Sequence, residues 1–398
     1  MPAPGSATTW RPTTIRVSDA HRAAGAAGGH PLIEKGWALI RIGRRVLLGA
    51  AAMGVATSGR AQAQLSFAGR TIEFVIPFAE AGGSDVWARF FAPALSKHLP
   101  GNPNVIVRNI PGGGSITGAN EWAQRARPDG SSFFGPSAST HLPYLLGDRR
   151  VRYDYTKWTP LIVSPTGGVV YVSSRTGITR GDQIAELRGR ELVFPSQGAT
   201  GLDIVPILAL HLLGLNTRYV YGMRGRGEAR IAVERGDANA DHQTTAAWLT
   251  QIVPMVRAGA AVPLFSYGVP DTQGDVQRDP SFPEIPTFEE VFRTLHGRAP
   301  DGPGYAAYRA CSVAAFAGQK PAVLLRDTPA PIIAAFRKAF EDVVKDPDVI
   351  ARRGDILGDY PQAVGPAADA LYATATTISP EAREWVRNFL TTQHNVRF

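Results

Sequence analysis

Three segments of this chain share one design: the end of an apolar run, then glycines and hydroxylated residues, then the start of an amphipathic stretch. They are Ala79-Glu80-Ala81-Gly82-Gly83-Ser84-Asp85, Pro111-Gly112-Gly113-Gly114-Ser115-Ile116-Thr117-Gly118 and Pro195-Ser196-Gln197-Gly198-Ala199-Thr200-Gly201. A strand–glycine–helix succession is the joint of an α/β sheet, whose ligands bind at the carboxyl ends of its strands. Glycine lets the backbone approach a ligand closely, and free N–H groups at a helix start attract anions. Each segment alone reads more readily as a tight turn. The three together favour one shared site for a carboxylate-sized anion.

The rest of the pattern is also α/β, with short apolar runs alternating with amphipathic stretches between Gly and Pro. Residues 72–76 read as a strand, followed by a helix from an N-cap at Ser84 to about Leu95, with Pro93 bending its end. Residues 105–107 and 131–135 are strands flanking a helix over 116–126. Strands over 161–163, 169–172 and 191–194 precede a helix over 202–213 and a strand over 219–221. Helices from Glu228 and Thr245 lead to a strand over 262–265. The last third carries a strand near Cys311 and helices over 331–344 and 380–390. The single cysteine excludes an internal disulfide and a Cys-based zinc site, and its apolar neighbours make it a small buried hydrophobe.

The formal charge of +8 invites a nucleic-acid reading, but eight of the basic residues against two acids lie in residues 1–63. The remaining body is near neutral, with no stripe to follow a phosphate backbone. Those first residues read instead as an export signal. Arg44-Arg45 open an apolar stretch to about Val55, and Ala61-Gln62-Ala63 is a small-x-small cleavage site. The paired arginines suggest the twin-arginine route. The apolar stretch falls well short of the roughly 20 residues that span a bilayer. The mature chain is expected to begin near Gln64 and to work in the periplasm.

Enzyme signatures are weak. The P-loop pattern and the G-x-S-x-G elbow are absent, and Gly112-x-Gly114 puts Thr117 where a dinucleotide fingerprint has its third glycine. The histidines after the leader never fall at metal-ligand spacing, so neither metal nor cofactor is expected. Asp241-His242 is the nearest approach to an acid–histidine unit and reads as a solvated or hinge-facing pair. Asp203 reads as a support for the helix after the third loop. Arg224 and Arg226, set among glycines, can clamp a carboxylate or lie idle on the surface.

From about Leu65 to Phe398 the chain resembles the solute-binding receptors of tripartite tricarboxylate transporters, the Bug family. Val75-Ile76-Pro77-Phe78-Ala79 with Gly82-Gly83-Ser84-Asp85 through Arg89 is similar to that family's V-x-P-F-x-x-G-G-x-x-D-x-x-A-R stretch, with the double glycine one place late. Val107-Arg108-Asn109-Ile110-Pro111-Gly112-Gly113-Gly114-Ser115 with Pro128-Asp129-Gly130 resembles V-x-N-x-P-G-A-G-G and P-D-G, Ser115 replacing the commoner glycine. Ser196 to Thr200 resembles the S-x-G-x-G/T loop, and Glu284-Ile285-Pro286-Thr287 the D-V-P-T turn. The family's Y-K-G motif is not kept, since Tyr221-Gly222-Met223-Arg224-Gly225 stands there.

The resemblance implies a type II periplasmic-binding-protein fold: lobe 1 from 64–166 and 263–398, lobe 2 from 167–262, and a ligand cleft between them. It implies that Ala81, Gly82, Gly83, Ser84 and Asp85, with Ser137 and Ser139, face Ser196, Gln197, Gly198 and Thr200 around a small organic acid. Arg224 joins them as a candidate clamp. The expected partner is a membrane permease, the expected form a monomer, and no nucleic acid is involved. An exported α/β enzyme and a stand-alone sensor are the rival readings.

Overall fold

A computed structural model describes residues 65–270 and 275–398; the expected export signal and its cleavage site near Ala63 lie outside the described residues. The first strands form in parallel. β1 (Thr71–Ile76) pairs with β2 (Asn104–Asn109) on one side and β3 (Ser132–Phe134) on the other. Helices α1 (Gly83–His98) and α2 (Ile116–Arg125) make the crossovers. α3 (Ala138–Leu146) then leads to β4 (Trp158–Ser164).

The middle of the chain builds separate sheets. β5 (Gly168–Ser173) lies antiparallel between β8 (Ala240–Thr244) and β9 (Ala261–Ser266). β6 (Leu192–Ser196) pairs in parallel with β7 (Thr217–Tyr221). Asn239, just before β8, ties the two together: its N–H donates to Val193 O at 3.1 Å, and its side chain accepts from Val193 N–H at 2.7 Å. The helices here are α4 (Ile204–Leu212), α5 (Arg226–Arg235), α6 (Thr245–Ala247) and α7 (Val253–Arg257). A π-helical turn, Trp248–Ile252, joins the last two.

Two short strands, β10 (Val269–Pro270) and β11 (Val276–Gln277), precede α8 (Phe288–His296) and α9 (Gly302–Phe316). β12 (Lys320–Leu325) then returns to the first sheet. α10 (Ala330–Val343), α11 (Pro347–Leu357), β13 (Ala363–Val364), α12 (Pro366–Ala375) and α13 (Pro380–His394) complete the chain. The first sheet has six strands in the order β13-β4-β12-β3-β1-β2. The outgoing segment after β4 and the returning one before β12 run side by side, Thr166 N–H donating to Phe316 O at 3.2 Å.

Both faces of the six-stranded sheet are covered, which is why its strands are apolar on both sides. Ile72, Phe74 and Ile76 face Trp87 and Phe91 of α1 and Phe340 of α10. Val75 faces the other way, toward Trp122, Phe134 and Trp158. β5 is divided likewise: Val170 and Val172 join the core under α4 and α9, whereas Val169 and Tyr171 face Trp248 and Ile252.

The strand expected near Cys311 is a helix. Ala307, Tyr308, Cys311, Ala314 and Ala315 are buried along α9, with Phe316 at its end, a spacing of three and four that a helix puts on one face. Cys311 is buried as expected, and desolvation pushes its thiol up to about 12.

Close backbone packing sets the loops that follow β1 and β2. A Cβ on Gly118 of α2 would stand 2.3 Å from Ile110 O and 3.0 Å from Pro77 Cα, both backbone atoms. Gly118→Ala is therefore expected to cost about 1–3 kcal/mol, the overpacking range, in urea unfolding.

Candidate functional site

Because β1, β2 and β3 are parallel, their following loops gather at one edge of the sheet. The first loop departs from the expected capping. Gly82, not Ser84, precedes α1 in extended conformation, and Ser84 lies buried in the first turn. Asp85 reaches back instead, accepting from Ala81 N–H at 2.9 Å and from Asn109 Nδ2 at 3.1 Å, while pairing with Arg89. Ala81 takes a left-handed φ of 62°, which this bond supports. The Ala81 N–H and the Asp85 carboxylate are thus engaged within the loop.

Gly82 and Gly83 face residues of the other sheets. A Cβ on Gly82 would lie 3.5 Å from Gly227 N, and one on Gly83 would lie 2.3 Å from Thr244 Oγ1. Ala79 N–H donates to Arg224 O at 3.3 Å. The first loop is therefore closed against the Arg224–Gly227 turn and the end of β8.

The second and third loops meet each other. A Cβ on Gly114 would be 3.1 Å from Gln197 O. Ser115 has φ 95°, a conformation that favours glycine and costs other residues about 1–2 kcal/mol. Its buried hydroxyl donates to Ser139 O at 2.9 Å, which offsets part of that strain. Ser139 Oγ in turn accepts from Leu202 N–H at 3.4 Å. Ser137 caps α3, its Oγ accepting from Ser139 N–H at 3.2 Å.

These loops border a hollow of about 460 Å³ lined by Gly114, Gln197, Gly198, Thr200, Arg150 and Tyr221, among others. That volume lies in the roughly 300–1,000 Å³ range of small-molecule sites. Thr200 Oγ1 donates to Asp148 Oδ2 at 2.7 Å, and Arg150 grips the same carboxylate at 2.6 Å. Gly198, Arg149 and Arg150 keep this rim polar and open.

Asp241-His242 is not solvated; both side chains are fully buried. Arg226 is buried too, so it is no clamp for a ligand. Its guanidinium pairs with Asp203 Oδ1 at 2.8 Å, with Asp241, and with Pro195 O at 3.1 Å. Asp203 also accepts from Ser196 Oγ and from Gln197 N–H, each at 2.7 Å. It further accepts from His242 Nε2 at 3.1 Å, whose Nδ1 accepts from Tyr267 Oη at 3.1 Å. Burial pulls the Asp203 carboxyl up, but Arg226 and the His242 and Ser196 hydrogen bonds outweigh it and hold the group well below the usual range. Burial, then the Arg226 charge, pushes His242 down to about 4, so its imidazole is neutral. Arg224 is exposed and lies 3.6 Å from Glu228.

Serine, histidine and aspartate thus meet, but not as a catalytic relay. Asp203 stands between Ser196 and His242, which leaves the serine no base, and the whole cluster is sealed from solvent. Its chemistry is structural: it pins the third loop and the start of α5. Sequence reasoning also passed over Lys320, a buried amine beside Gly83 and Thr244. The available signal was a lysine at the mouth of the apolar run 321–325.

No protein-family model and no curated protein matches this sequence. Solved structures share the fold. The periplasmic binding protein BugD is 19% identical, with a TM-score of 0.63 over 83% of this chain and 99% of that one. MatC from Rhodopseudomonas palustris, solved with bound malate, is 20% identical at a TM-score of 0.58, over 83% and 99%. Another R. palustris protein, solved with adipate, is 18% identical at 0.62, over 82% and 98%. The fold is the two-lobed α/β fold of periplasmic binding proteins.

Removing Arg226 leaves two buried carboxylates without their counter-charge. Arg226→Met is expected to lower stability by about 3–5 kcal/mol in urea unfolding at neutral pH. Because the folded Asp203 carboxyl is held low, its contribution is present above the ordinary carboxylate range and is lost as pH falls from there toward the lowered folded value. The deficit of the variant should therefore shrink in acid.

Proposed function

We propose that this chain is an extracytoplasmic receptor of the Bug type. It is exported, binds one small organic carboxylate between its two lobes, and delivers it to the permease of a tripartite tricarboxylate transporter without chemical change. The observation that carries this reading is the meeting of glycine-bearing loops from different sheets. Gly114 lies against Gln197, Ser139 against Leu202, and Gly82 against Gly227. Backbone N–H groups at helix starts grip an acid's negative charge whatever its carbon skeleton. Similarity to receptors solved with malate and adipate supports the same ligand class.

The closing of one lobe on the other is the signal the permease recognises, and the acid selects the closed form. Ser137, Ser196 and Thr200 hold the loops in shape. Glycine amides, with Ser84 beside them, make the approach to the acid. The rival enzyme reading needs an accessible base with an oriented partner, and the buried Asp203–His242 pair does not supply one.

Thermal-shift screening with dicarboxylates, aromatic acids and amino acids tests the reading. A true ligand at a hundred times its Kd is expected to add about 2.7 kcal/mol of stability, with no turnover of the hit. Ser84→Leu and Thr200→Val are each expected to weaken binding at least about tenfold. Unchanged affinity in both would reject the loop assignment, and turnover that a changed cleft acid abolishes would reject the receptor.

A further inference from the structure

Lys320 opens β12 and pairs with Ser164, the last residue of β4. Since β12 runs against β3, it starts at the edge where β1, β2 and β3 end. Its side chain is buried, and a Cβ on Gly83 would stand 3.6 Å from its Nζ, which places the amine against the first turn of α1. The first N–H groups of that sixteen-residue helix have no acceptor within it. Among the described residues, Thr244 Oγ1 at 3.2 Å is the one hydrogen-bond partner of Nζ, and no carboxylate pairs with it. Gln319 Oε1, on the residue before Lys320, is among the buried polar atoms without a partner. Gln319 O accepts from Ala138 N–H at 3.1 Å, so this segment also borders the first turn of α3.

We propose that Lys320 is the counter-charge of the bound acid, which enters as an anion and seats one carboxylate between the Lys320 amine and the first turn of α1. The inference rests on the receptor reading and narrows its ligands to ionised acids. Thr244 packs against Gly83 and bonds the amine, so the sheet carrying β8 withdraws to admit the acid. The paired crossings at Thr166 and Phe316 lie next to Lys320 and give that movement its hinge.

An amine buried with one hydroxyl is poorly satisfied, and a carboxylate supplies the missing charge-assisted bond. Desolvation pushes Lys320 down to about 7 in the empty protein. The charged groups on the elements around it are engaged elsewhere. Asp85 of α1 holds Ala81 and Arg89, and Lys97 and His98 at its far end hold Asp346. On β8, Asp241 holds Arg226, and His242 lies between Asp203 and Tyr267. Asp279, near Thr245 and raised to about 6 by burial, holds Tyr360.

A carboxylate at Nζ raises the amine's pKa again. Between the lowered and raised values the complex keeps a proton that the empty protein has lost. Binding therefore takes up a proton, and affinity falls as pH rises above about 7, by up to about tenfold per pH unit.

The test is calorimetry with malate and with adipate at about pH 8, in two buffers of different ionisation heat, on the wild type and Lys320→Met. Uptake of close to one proton by the wild type, none by the variant, and an affinity at least about tenfold weaker in the variant is the expected result. The empty variant should melt no lower than the wild type, because an apolar isostere replaces an unpaired buried amine. A lower melting temperature would show an amine already satisfied and count against the proposal. Binding without proton uptake, or equal affinity in the variant, overturns the role of Lys320 and leaves the receptor standing. A wild type that binds no acid of the screening panel overturns the receptor reading and this inference with it.

Discussion

One buried guanidinium organises the middle of this molecule. Arg226, at the start of α5, lies between Asp203 before α4 and Asp241 on β8, and donates to Pro195 O at the end of β6. Four elements are thereby fixed to a single planar group whose forked donors suit two carboxylates. Removed from water, each charge would be intolerable alone, so the geometry is enforced by what happens when any member is missing. The third loop inherits its shape from this network, since Ser196 Oγ and Gln197 N–H both end on Asp203. The turn that meets the first loop inherits its place too, because Gln243 Nε2 bonds both Arg226 O and Asp241.

The two buried polar clusters are opposites in kind. Around Asp203 every charge has an opposite charge or hydrogen bond beside it, although Arg226 Nε has no acceptor. At Lys320 an amine has one hydroxyl partner, and the oxygen of the neighbouring Gln319 side chain has none, at a place where two helices begin. A protein interior tolerates such a deficit when something else completes it. Under the proposed function, rigid support next to an under-partnered amine suits capture of an acid, because loops held in advance lose little entropy on binding.

Much of the architecture is legible in one dimension. Short apolar runs mark β1 and β5, and Pro-Gly-Gly-Gly announces the joint between β2 and α2. Burial patterns that need a longer window were read less well. The short run around Cys311 passes for a strand until Ala307 and Tyr308 are included, and then the helical period emerges. Ser84 passed for a cap because local rules favour a hydroxyl there, whereas the helix starts two residues earlier, with Asp85 bonding back to Ala81. Ser115 is another case: the sequence shows a departure from glycine, and only the backbone shows that a left-handed residue leans on Ser139 for support.

The chain by itself determined the α/β class and the placing of glycine loops at strand ends, because both follow from periodicity and backbone freedom over a few neighbouring residues. Tertiary structure alone decided which polar groups are paired within the protein and which are left short of partners. Arg226 meets Asp203 across 23 residues and Lys320 meets Thr244 across 76. Asp241-His242 looks solvated as a dipeptide and becomes part of a sealed, hydrogen-bonded cluster in the fold. The reason is that charge pairing depends on distance and desolvation in space, which a linear order of residues does not carry.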